Sequence, residues 1–157
     1  MENIFELLKT EDPIGGLYVH LLQPKERIQE PGKIIEPGMS VIKPGKFTQK
    51  LSGRIKTYLS NDYWHFDNKV AAFKEVTTRS YLIFNATDLP DEHKWLITGL
   101  EEKLIQLITE QFKIISKIGK GKSEYRQIEF NGFEEYDRKI TIISDEINNL
   151  ANRIIKL

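Results

Sequence analysis

The sequence contains no cysteine. That removes disulfides, cysteine-based zinc sites and a cysteine nucleophile, and it accords with a reducing compartment. An excess of charge is also missing: 23 Lys and Arg stand against 23 Asp and Glu, for a formal net charge of +0. A protein that holds nucleic acid through its overall charge carries surplus Lys and Arg, so any contact with phosphates here must come from a local group of cations. No apolar run approaches the ~20 residues needed to cross a bilayer as a helix. The opening MENIFELLKTEDP is acidic and lacks the apolar centre of a signal peptide. The expectation is a soluble, cytoplasmic protein with no membrane partner. With 157 residues and 39% apolar content, neither disorder nor a fibrous protein is indicated. The length suits one domain over 1–157 with its own core.

Periodicity and breakers divide the chain. A short helix is expected over Glu2–Lys9, ended by Asp12-Pro13 and Gly15-Gly16. Leu17–Leu22 (LYVHLL) reads as a strand, and alternation puts Tyr18 and His20 on one face and Leu17, Val19 and Leu21 on the other. Residues 23–38 carry Glu-Pro-Gly twice, at Glu30–Gly32 and Glu36–Gly38. Pro-Gly favours a type II turn, so this stretch reads as an extended loop or a small two-stranded insertion. Tyr63, Trp64, His65 and Phe66 form an aromatic and polar loop, suited to packing against the core or to stacking on bases. Val70–Val76 and Tyr81–Ala86 suit strands. Asp88-Leu89-Pro90 starts a helix that runs past Phe112 on a stripe of Leu96, Leu100, Leu104, Leu107 and Ile108. On that helix Glu101 borders the apolar stripe, whereas Glu102 lies outside it. The basic stretch Lys113–Lys122 follows, then a short strand at Gln127–Phe130 and a C-terminal helix at 134–155. Hairpin-like strands followed by helices argue for an α+β fold. The expected sheet is small and mainly antiparallel, of three to five strands, and flanked by helices.

The stretch Ser40–Tyr58 (SVIKPGKFTQKLSGRIKTY) holds the chemistry. A strand over 39–43 ends at the Pro44-Gly45 break, and a helix over 47–60 follows, with Phe47, Leu51, Ile55, Tyr58 and Leu59 on one stripe. Arg54 sits at the edge of that stripe. Taken alone it reads as a solvated surface arginine; a strand, a glycine turn and a helix with one boundary arginine also make a phosphate-handling arrangement.

In that order the residues resemble a GIY-YIG nuclease domain. Gly16-Leu17-Tyr18 resembles its first motif, and Val41-Ile42-Lys43-Pro44-Gly45-Lys46 its second, with Lys43 in place of the second tyrosine, as in a phage-type branch. Arg54 follows Gly45 by nine residues, and Leu100-Glu101 with Leu104-Ile105 resembles the segment around the family's metal-binding glutamate. Ser123-Glu124-Tyr125 resembles a Glu-Trp-Phe segment of the same branch. The likeness covers Ile14–Glu135, the expected core being about 14–135. Pro44 replaces an apolar residue, the family's late asparagine has no clear counterpart, and the 23–38 insertion is unusual. The resemblance implies a metal-dependent DNA endonuclease of a phage or mobile element. Tyr18 would activate water, its pKa lowered by the neighbouring cation Lys43, and Arg54 would hold the scissile phosphate. Glu101 would bind Mg2+ or Mn2+. His20 is either a second proton-transfer group or a structural neighbour. Lys46 and Tyr58 are candidate substrate contacts, although the place of Tyr58 on the apolar stripe favours core packing. Two other readings stay open: the same fold without catalysis, as a nucleic-acid-binding or protein-interaction module, and an unrelated α+β interaction protein.

Overall fold

The computed structural model describes residues 1–23, 27–30, 33–55, 63–66, 69–72, 77–109 and 130–155. The chain opens with β1 (Glu2–Asn3) and one turn of helix, α1 (Ile4–Leu7). Asn3 caps this turn by accepting hydrogen bonds from the amides of Phe5 and Glu6. Then come β2 (Ile14–Gln23), the hairpin β3 (Ile28–Glu30) and β4 (Lys33–Ile35), and β5 (Val41–Lys50). Residues 51–55 are helical (α2). A second hairpin, β6 (Tyr63–Phe66) and β7 (Lys69–Ala72), precedes β8 (Thr77–Asn85). A 3-10 turn at Asp91–His93 leads into α3 (Trp95–Leu107), and α4 (Glu134–Ile155) closes the fold.

The main sheet is antiparallel with order β1-β8-β2-β5. This is the expected α+β architecture, with the Tyr18 strand between its two long neighbours. Strand alternation gives each face its own core. Leu17, Val19, Leu21 and Ile42 pack with Leu96, Leu100 and Leu104 of α3 and Ile140, Ile147 and Ala151 of α4. On the opposite face Tyr18, Phe47 and Leu82 pack with Ile4 and Leu7 of α1 and Leu51 and Ile55 of α2. A polar-to-apolar alternation along β2 is therefore absent: both faces are covered, and residues from Gly15 through Leu22 are all buried.

Several expected boundaries change, and the aromatic stretch Tyr63–Phe66, expected as a loop, is a strand. The second long strand does not stop at 43 but runs through Pro44 and Gly45 to Lys50, so the helix starts at 51 rather than 47. Pro44 is tolerated because β5 is an edge strand, where an outward position needs no N–H for the ladder. Phe47 reaches the same core as Leu51 and Ile55, but from a strand. The long helix also starts later, at Trp95, after the 3-10 turn, and ends at Leu107, where Ile108 turns extended. The 23–38 insertion is the two-stranded one, and its second Glu-Pro-Gly forms the expected turn: Met39 N donates to Glu36 O at 3.2 Å and Gly38 has φ 83°. Residues 56–60, the stretch 110–129 with its basic run, its Ser-Glu-Tyr segment and most of its expected strand, and the side chains of 63–66 lie outside what is described.

Candidate active site

Cross-strand pairing assembles a polar group on the α1/α2 face. Tyr18 faces Gly45 on β5 and Leu82 on β8; His20 faces Lys43 on β5 and Ser80 on β8. Directly opposed residues in an antiparallel ladder point the same way, so Tyr18, His20, Lys43 and Ser80 share one surface of the sheet. All four are buried, with Tyr18 at 0% exposure and Lys43 at 8%. The Tyr18 and His20 rings lie 4.8 Å apart between centroids, tilted by 55°.

Gly45 explains how the phenol fits. A Cβ built there would overlap Cζ and Oη of Tyr18, so the ring lies across the glycine toward the edge of the sheet. Arg54 meets it from α2: its Nε donates to Tyr18 Oη at 3.1 Å. Arg54 is itself an exposed residue. One guanidinium N–H is thus directed to a buried phenol, while the side chain stays at the surface, where a large substrate can reach it.

The position of Arg54 depends on how α2 begins. Asp12 accepts from the Ser52 amide at 3.0 Å through Oδ1 and from the Ser52 hydroxyl through Oδ2, and Leu51 N donates to Pro13 O at 2.9 Å. A carboxylate at a helix N-terminus satisfies open amides and complements the helix dipole. Desolvation works against ionised Asp12, yet the two Ser52 hydrogen bonds and the charge of Lys50 hold its pKa below the usual carboxylate value.

Glu101 comes from α3, on the other face of the sheet. It is 1% exposed, and neither carboxylate oxygen has a hydrogen-bond partner among the described residues. Burial pushes its pKa up to about 7, against the opposing pull of the Lys46 and Arg54 charges. Glu102, its neighbour, is only partly buried, so the helical spacing ranks the two glutamates as expected. Lys46 lies on the α3 side of β5 and donates to Thr98 Oγ1 at 3.0 Å, one turn before Glu101.

His20 is neutral. Burial is the larger cause, and the charges of Lys43 and Arg54 add to it, taking its pKa down to about 3. Its Nδ1 lies 2.7 Å from Ser80 Oγ.

The structure therefore brings Tyr18, His20, Lys43 and Arg54 together, and places Lys46 and Glu101 on the other face of the sheet, where the charges of Lys46 and Arg54 act on Glu101. Tyr58 lies outside the described residues. Among the described residues no cluster of three or more His, Asp or Glu side chains is arranged to hold a metal. Sequence reasoning missed Ser80, Thr98 and Asp12. Ser80 had one signal, a small polar residue at the head of the apolar run YLIF; the other two depend on contacts between distant segments. No family model, curated protein or solved structure matches the chain.

Proposed function

We propose that the protein is a metal-dependent endonuclease that hydrolyses phosphodiester bonds in DNA, with the GIY-YIG-like site that its motifs resemble. The observation that carries this reading is Glu101. A buried carboxylate with no hydrogen-bond partner among the described residues is costly to ionise, and the Lys46 and Arg54 charges offset that only in part, so its pKa stands at about 7. A fold keeps such a group where it is used, and a hard divalent cation is the partner that suits carboxylate oxygens. Mg2+ (or Mn2+) needs few protein ligands, because it retains waters and takes phosphate oxygens, so a single glutamate fits. When bound, the ion supplies charge neutralisation at the phosphate and a more acidic water.

The chain's own residues supply the rest. Arg54, fixed through Nε by Tyr18, offers a planar donor group to the scissile phosphate and to the charge that develops on it. Lys46, anchored by Thr98, adds a second cation on the opposite side of β5. Lys43 places a positive charge on the Tyr18 and His20 face of the sheet. Tyr18 acts here first as the group that orients Arg54, since its ring is wholly enclosed.

That enclosure is the observation favouring the second reading, a non-catalytic nucleic-acid-binding or interaction module: a buried Tyr18 and a neutral, buried His20 are also what a structural polar core looks like. Plasmid cleavage separates the two. The wild type should nick or cut DNA with Mg2+ or Mn2+ and not in EDTA, and Glu101→Ala should be inactive while still folded. A wild type that binds DNA without cutting it under either metal leaves the module reading.

A further inference from the structure

The proposed chemistry gives Ser80 nothing to do, yet Ser80 is 1% exposed and makes a short buried contact with His20. A neutral imidazole has two tautomers, and the partner of one nitrogen decides which nitrogen holds the proton. A serine hydroxyl can either donate or accept, so the contact alone leaves the choice open. Its surroundings point to one of the two. Ser80 stands on β8 and Lys43 on β5, on opposite sides of β2. Nδ1 is turned to Ser80 on β8, whereas the Lys43 backbone pairs with His20 from the other neighbouring strand. The charges of Lys43 and Arg54 both act on this ring and disfavour its protonated form. In a positive field from that side, a lone pair on Nε2 is lower in energy than an N–H. That arrangement would place the proton on Nδ1, whose N–H then donates to Ser80 Oγ.

We propose that Ser80 is a positioning residue: it fixes His20 as the Nδ1–H tautomer and thereby holds Tyr18 in the orientation that seats Arg54. The chain of contacts runs across all three long strands. Ser80 on β8 holds His20 at 2.7 Å; the His20 ring packs on Tyr18 at 4.8 Å; Tyr18 Oη crosses Gly45 of β5 and accepts from Arg54 at 3.1 Å. An imidazole that loses its Ser80 partner is free to turn or to change tautomer, and the ring that rests against it shifts with it. For the catalytic consequence, this rests on the endonuclease reading; the tautomer and the arginine contact do not.

The test uses the full-length protein and three variants, Ser80→Ala, Ser80→Thr and His20→Gln, the last to assign the His20 signals against His65 and His93. Long-range 1H–15N correlations identify the protonated ring nitrogen, and the Arg54 Nε–H resonance reports its bond to Tyr18. The expected wild-type result is a single Nδ1–H tautomer with a slowly exchanging Arg54 Nε–H. Ser80→Ala should lose both, and Ser80→Thr, which keeps the hydroxyl, should restore both. In an active wild type, Ser80→Ala should also lower kcat about ten-fold with KM little changed, the lower end of the scale for losing an outer partner that orients a metal-ligating imidazole. An Nε2–H tautomer in the wild type, or spectra unchanged in Ser80→Ala, overturns the proposal. A wild type that cuts no DNA under Mg2+ or Mn2+ overturns the endonuclease reading instead, and the spectra still decide the role of Ser80.

Discussion

Glu101 and Arg54 are the two residues on which the functional reading is most easily broken. In a protein where Glu101 binds Mg2+, added metal stabilises the fold by mass action. The wild type should therefore gain a few degrees in Tm with millimolar Mg2+ at pH 8, measured by thermal denaturation. Glu101→Gln should gain nothing, and Glu102→Gln should behave as the wild type does. A Glu101→Gln protein that responds fully to Mg2+ moves the metal elsewhere. Arg54→Lys tests the phosphate contact. It keeps the charge but loses the planar fork and the Nε donor to Tyr18. Single-turnover cleavage should fall by about two orders of magnitude, the scale of one preorganised donor. DNA affinity at the same salt should change far less, because the interaction grows only as charge develops. Equal losses in both would make Arg54 a binding residue and favour the non-catalytic module.

At the scale of elements, the site depends on how β5 passes into α2. Two features fix that passage: the Gly45 gap that admits the phenol and the Asp12 cap on Ser52. Gly45→Ala forces the Tyr18 ring aside, since the new methyl group would occupy the position of Oη and Cζ. The expected cost is about 1–3 kcal/mol, as for overpacking a filled core, with loss of the arginine contact. Asp12→Ala removes the cap and should cost about 1 kcal/mol by urea denaturation, the usual scale for a lost N-cap. Its effect on cleavage should exceed its effect on stability, because Arg54 follows Ser52 by two residues on the same short helix. A variant with lowered stability and unchanged cleavage would show that α2 is held by other contacts. Gly16 marks the other end of the same strand pair: its φ is 154°, and a Cβ there would collide with the Phe84 carbonyl, so this part of the first motif is dictated by the sheet.

For the molecule as a whole, two buried titratable groups oppose one another. Glu101 ionises near 4.5 when unfolded and at about 7 when folded. The folded state thus holds the extra proton between these values, and stability from this group falls as pH rises across them. His20 takes up its proton near 6.5 when unfolded and at about 3 when folded. The unfolded state holds the extra proton there, and stability falls as pH falls from 6.5 to 3. The two slopes cancel where they overlap, so in EDTA the wild type should show a nearly flat stability profile between about pH 4.5 and 6.5. Glu101→Gln removes one slope. Its stability relative to the wild type should climb between pH 4.5 and 7, by on the order of 3 kcal/mol. Urea midpoints at pH 4, 5.5 and 8 are sufficient. A constant difference across that range would mean that Glu101 ionises as a solvated carboxylate does.

Amino-acid order determined the larger features. Period-two alternation placed Tyr18 and His20 on one face of a strand, helical spacing put Glu101 against the core and Glu102 outside it, and Pro-Gly dictated the turn at Glu36–Met39. These are local effects, set by neighbours within a turn or a strand. The α4 helix at 134–155 was legible for the same reason. Pro44-Gly45 was misleading because its local preference is to break a strand. The edge position of β5 tolerates the proline, and the Tyr18 ring, 27 residues earlier in the chain, requires the glycine. Only tertiary structure decides such matters. The pairing of Ser80 with His20, the cap that Asp12 places on α2, and the hold of Thr98 on Lys46 each join segments 40 to 60 residues apart. No local periodicity records them, because each arises only when the strands have found their register and buried the groups that must then satisfy one another.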